Sequence, residues 1–274
     1  MATETAAAPR KRLYYGWVIV AVMSVIGGLG MALATLNFGL FIRPMGDDLG
    51  IGRAIFGWSQ TARMATGAVT SPLVGRWIDR VGSRVLLVLA TLLAGGSLLA
   101  MAYISAAWQM VALFAVMGII GMGGGANLIT TVPVAKWFVR QRGRALALVS
   151  LGPFIGGVVF VLFSQFLIDE LGWRTAWTVL ALIGMGLIIP LALIFVRRQP
   201  EDMGLRPDGD SVAAMPAHGE PGAPGQRRLV SRTHAPEESW TLQEAMRSPV
   251  FWRVAVVFSI AMFAMGTIGL HRIP

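Results

Sequence analysis

The chain has 274 residues, 55% hydrophobic and only 14% charged, with a mean hydropathy of +0.66. A water-soluble domain of this length carries roughly 25% charged residues, and the apolar residues here are gathered into long runs, so a soluble enzyme or binding module is excluded and an integral membrane protein is implied. The net charge of +9 sits in short clusters between those runs, which reads as membrane topology and not as nucleic-acid binding; there is no cysteine to form disulfides or metal sites, and the three histidines are scattered.

Residues 1–13 read as a cytoplasmic N-terminal tail carrying Arg10, Lys11 and Arg12. The first apolar segment, Tyr14–Phe41, is far longer than the roughly 7–15 residues of a signal-peptide core, so it reads as an uncleaved span. Five more follow at Ala54–Val74, Val85–Ile104, Trp108–Ala135, Ala145–Ile168 and Trp173–Val196, and a last one at Pro249–Leu270. Each can cross a core of about 30 Å as a helix, the only open structure that satisfies its own backbone in lipid. Residues 14–196 thus form a six-helix unit. Residues 197–248, rich in Pro, Gly, Ala and charge, form a cytoplasmic linker with a short amphipathic helix near 241–247 opened by a capping box at Thr241 and Glu244. Residues 249–274 hold the seventh span. Lysines and arginines in the connections divide seventeen against three between alternate sides, placing the N-terminus in the cytoplasm of a multi-pass cell-membrane protein.

Two stretches echo one another. Asp79-Arg-Val-Gly82-Ser-Arg84 follows the second span and Asp169-Glu-Leu-Gly172-Trp-Arg174 the fifth; upstream, Pro72-x-x-Gly75 corresponds to Pro153-x-x-Gly156. One is expected inside and the other outside, as an inverted repeat of three helices requires, although chance in a glycine-rich chain gives the same echo. A tight turn between spans needs glycine and orienting arginines, which accounts for Arg80, Gly82 and Arg84 but leaves Asp79 unexplained.

Polar residues inside the spans are the candidates for substrate contact. Arg63 lies near the middle of the second span, where an arginine costs at least about 2.5–3.5 kcal/mol unless it faces a cavity or partner. Its planar guanidinium suits a carboxylate, and Gln60 shares its face; snorkelling or pairing with a backbone carbonyl is the structural alternative. Asn37, Asn127, Thr130 and Thr131 are further candidates, although such groups also bridge helices. The glycine run at Gly121 and Gly123–Gly125 lacks the Lys-Ser/Thr of a nucleotide loop and reads as helix packing.

Gly75-x-x-x-Asp79-Arg80-x-Gly82-x-Arg84 resembles, in letters and position, the loop signature of the major facilitator superfamily. Gly152-Pro153-x-x-Gly156-Gly157 resembles its fifth-helix motif, with Leu148 where a small residue is usual. "KWFVRQRGRALAL" (136–148), "YYGWVIV" (14–20) and "RRQPEDMGLRPDG" (197–209) are similar to the monocarboxylate porter and oxalate–formate antiporter branch. The resemblance implies an all-α fold, a six-helix bundle of two inverted three-helix repeats followed by the first helix of a C-terminal half that this chain carries only in part. It implies secondary transport of a small organic anion, with Asp79 as one side of a latch against that missing half and no cofactor. A non-transporting, truncated membrane protein or scaffold is the other expectation.

Overall fold

The computed structural model describes residues 14–31, 38–120, 128–197, 200–205, 208 and 242–271, and among them every regular element is helical. The first predicted span divides into α1 (Tyr15–Met31) and α2 (Phe38–Leu49), the second becomes α3 (Arg53–Val81), and the third α4 (Ser83–Met101). The fourth is represented by α5 (Ala107–Gly118) and α6 (Leu128–Trp137), and the fifth and sixth are joined in α7 (Arg142–Phe195). A 3-10 turn, Pro200–Met203, follows. The prolines inside α2, α3, α6 and α7 (Pro44, Pro72, Pro133, Pro153 and Pro190) are tolerated as they are in membrane helices, where neighbouring groups take over the lost hydrogen bonds.

The second span runs longer than its apolar composition. The helix continues through Gly75, Asp79 and Arg80, and only Gly82 leaves it, at φ 88° and ψ 155°. The expected charged turn is therefore one residue long. Gly82 N–H still reaches the Ile78 carbonyl at 3.1 Å, and the next helix begins at Ser83. Gly172 does the same within α7, at φ 77° and ψ 162°. Both glycines occupy a region that side chains essentially exclude, so the two D-x-x-G-x-R stretches share a backbone conformation as well as letters.

A straight helix of 54 residues would be about 81 Å long, well beyond a bilayer core of about 30 Å. The break at Gly172 turns it back: Ala145 and Val149 share one buried cluster with Ile188, Ala192 and Val196 from its far end. That cluster also takes Ile19, Met23 and Ile26 of α1, Leu86 and Ala90 of α4, and Val134 and Trp137 of α6. A second cluster, at the other end, joins Phe38, Phe41 and Met45 of α2 to Met101, Met110 and Phe114, and to Leu167, Trp173 and Trp177 on either side of the break. Phe41 stacks on Trp177 at 3.9 Å, and Arg174 pairs with Asp48 at 2.5 Å while lying over the Trp173 ring. Outward, α3 exposes Trp58, Met64 and Val69, and α7 exposes Phe154, Val158 and Leu162, the apolar surface a membrane-embedded bundle presents.

The chain divides into two compact units, Met1–Ala214 and Met215–Pro274. In the second, α8 (Leu242–Arg247) leads into α9 (Pro249–His271), and Trp252 Nε1 donates to the Met246 carbonyl at 2.9 Å. Thr241 of the expected capping box lies outside the described residues.

Candidate functional site

The hydroxyls of α3 are consumed within the helix. Ser59 Oγ donates to the Ile55 carbonyl, Thr66 Oγ1 to Ala62 and Thr70 Oγ1 to Thr66, at 2.8, 2.5 and 2.8 Å. Gln60 and Arg63 carry longer polar side chains on the same helix. Arg63 is 3% exposed, and Gln60 Oε1 is buried without a hydrogen-bond partner among the described residues. An orphaned buried acceptor costs about 1–3 kcal/mol, which a bound polar group would recover.

α3 packs chiefly on α5. Gly118 permits it: a Cβ there would run into the Arg63 carbonyl and Thr66 Oγ1, while one on Gly67 would stand 3.4 Å from the Gly118 carbonyl. Arg63 thus sits where two backbones meet, beside the C-terminal end of α5. Thr130, buried, and Thr131, half-buried, lie on α6, which packs chiefly on α1, α4 and α7. The structure therefore gathers Arg63 and Gln60 on one face and carries Thr131 on another helix. Asn37 and Asn127 lie outside the described residues, as does the glycine run at 121–125.

The glycines of the fifth-span motif make a helix crossing. A Cβ on Gly152 would strike the Ser24 carbonyl; one on Gly156 would lie 2.6 Å from the Gly28 backbone. Ser24 and Gly28 are spaced four apart on α1, Gly152 and Gly156 four apart on α7, so the two small-residue steps interlock, as close crossings in membranes do. Pro153 packs beside Gly27, Gly157 is buried, and Ser24 Oγ donates to the Leu148 carbonyl at 3.3 Å. In the loop signature, Gly75 has open space around its Cβ position, Arg80 is exposed, Arg84 is half-buried, and of Asp79 only the backbone belongs to the described residues. A cleft of about 430 Å³ opens beside Gly82 and Arg84, with Arg197 and Asp202 on its wall.

Sequence reasoning assigned no role to residues that the fold brings together at the basic end. Tyr14 Oη donates to the Trp137 carbonyl at 3.0 Å and Tyr15 Oη to the Phe195 carbonyl at 2.9 Å, so the two tyrosines close the C-terminal ends of α6 and α7. Arg142 reaches back from α7 to the Phe138 and Ala135 carbonyls, each at 3.2 Å. Asp208 accepts from the N–H groups of Val139, Arg140 and Gln141 at 3.0, 2.6 and 3.2 Å. All these residues except Ala135 lie in the three stretches 14–20, 136–148 and 197–209 or at the end of the sixth span. The legible signal was their shared side in the charge pattern.

Buried polar groups between apolar helices, interlocked glycines and one-residue helix breaks define a multi-pass helical membrane protein. It belongs to the Major Facilitator Superfamily, whose profile matches residues 16–271. It is 31% identical over 269 residues to the 4-hydroxybenzoate transporter PcaK of Pseudomonas aeruginosa, covering 93% of this chain and 54% of that one. It is 24% identical over 181 residues to the uncharacterized MFS-type transporter YcxA of Bacillus subtilis, covering 66% and 44%. With monocarboxylate transporter 14 of Mus musculus it shares 25% over 213 residues, covering 74% and 40%. The chain spans about half the length of the curated relatives it matches.

Proposed function

We propose that the chain forms the N-terminal six-helix half and seventh helix of a secondary transporter that moves a small organic anion, a mono- or dicarboxylate, by alternating access. The observation that carries this reading is Arg63, buried on α3 at the point where that helix meets α5, with the unsatisfied Gln60 acceptor one turn away. A guanidinium grips a carboxylate through two parallel hydrogen bonds, and Gln60 Oε1 suits a hydroxyl on the same molecule. Two relatives are named for carboxylate substrates, a monocarboxylate and 4-hydroxybenzoate. The matching conformations of Gly82 and Gly172 support the inverted repeat, the charge pattern supports a cytoplasmic N-terminus, and Asp79 is the proposed latch residue of the loop signature.

The test is uptake of radiolabelled 4-hydroxybenzoate and lactate into proteoliposomes containing the protein. Arg63→Gln should lower uptake by about 10–100-fold, the worth of about 1.5–3 kcal/mol for a charged hydrogen-bonded contact, with helix content by circular dichroism unchanged. Uptake equal to the parent in a folded Arg63→Gln protein would remove the anion-site role.

A further inference from the structure

We propose that Asp208 is a positioning residue: its carboxylate fastens the connection that leaves the sixth span onto the turn between α6 and α7, and through that turn holds both helices in place. The clasp is independent of what the carrier moves, and so goes beyond the transport reading.

Three observations carry it. The N–H groups of Val139, Arg140 and Gln141 are successive and converge on the two oxygens of one carboxylate, the arrangement of a backbone anion nest. Asp208 stands 67–69 residues away along the chain, so this is a tertiary tie and not a local cap. Its backbone is at φ 60°, the one positive-φ residue other than glycine among the described residues, and aspartate tolerates that conformation better than most side chains.

The gripped turn is hydrogen-bonded to helices at both ends. Phe138 N–H bonds back to Val134 at 3.1 Å, and Arg142 and Tyr14 hold the last carbonyls of α6. On the other side, the Gln141 carbonyl receives the Ala145 N–H at 3.0 Å, the first hydrogen bond of α7. The connection is itself fixed before it reaches Asp208: Leu205 N–H bonds to the Pro200 carbonyl at 3.0 Å, and its side chain packs on the core at that end. Residues 200–205 and 208 thus belong to the six-helix unit. Residues 139–141 in turn lie between α6, which carries Thr131, and α7, which carries the Gly152–Gly156 crossing.

The experiment compares the protein with Asp208→Gly, which keeps the positive φ and removes the carboxylate, and Asp208→Asn, which keeps the shape and one acceptor oxygen. Hydrogen exchange in nanodiscs is read by mass spectrometry on peptides covering 136–144, and maleimide labelling is read on a Thr131→Cys reporter in this cysteine-free chain. In Asp208→Gly, exchange at the three amides should accelerate by about tenfold, as expected for losing a carboxylate cap, and Thr131→Cys labelling should change by about threefold; Asp208→Asn should fall between. Faster exchange with unchanged Thr131→Cys labelling would reduce Asp208 to a local turn cap and overturn the positioning role. Unchanged exchange in Asp208→Gly would overturn the clasp itself.

Discussion

Gly156 and Gly28 touch backbone to backbone: a Cβ built on Gly156 stands 2.6 Å from the Cα, carbonyl carbon and carbonyl oxygen of Gly28. Real side-chain atoms do not approach backbone that closely. In a membrane, where burying apolar surface between helices gains little over lipid, such close approach is a main source of helix association.

Gly156→Ala should therefore push α1 and α7 apart, at a cost of about 1–3 kcal/mol for overpacking. Gly75→Ala is the control, because its added methyl meets nothing within 4 Å and alanine is the better helix former by about 1 kcal/mol. Thermal unfolding in detergent should show a lower midpoint for Gly156→Ala and an equal or higher one for Gly75→Ala. Equal midpoints for the parent and Gly156→Ala would mean the crossing is loose.

Gly172 isolates the backbone contribution. An added Cβ there meets no neighbour within 4 Å, so any penalty arises from φ 77° alone. Gly172→Ala should destabilise by about 1–3 kcal/mol, the cost of holding a side chain in a region that is essentially glycine-only, although nothing is clashing. A midpoint identical to the parent would show that the break between the fifth and sixth spans can relax into another conformation.

Tyr15→Phe removes one hydroxyl from the Phe195 carbonyl at the end of α7 and leaves the ring against Trp137. The expected loss is about 0.5–1.5 kcal/mol for one partly buried hydrogen bond. Hydrogen exchange should rise in the last turn before Val196, because a released helix end frays. Exchange confined to its parent level there would show that Tyr15 contributes packing only.

Hydropathy and charge are local properties, written residue by residue, and they determined the apolar runs, their number and the basic side of the bundle before any fold was known. The glycines of Gly152-x-x-x-Gly156 and the breaks at Gly82 and Gly172 were likewise legible as special positions, since only a missing side chain explains them. What those glycines meet was not legible. The partner of Gly156 is Gly28, and Tyr14, Tyr15 and Ser24 find their acceptors 123, 180 and 124 residues away. Such pairings depend on how the apolar runs of the first unit are arranged around one another, and a polar or small residue looks the same in sequence whether it faces lipid, a helix end or a cavity. Arg63 stood out because a charge within a span is costly wherever it points. Asp208 did not, because an aspartate in a polar connection is unremarkable until the chain folds back and places three successive N–H groups against it.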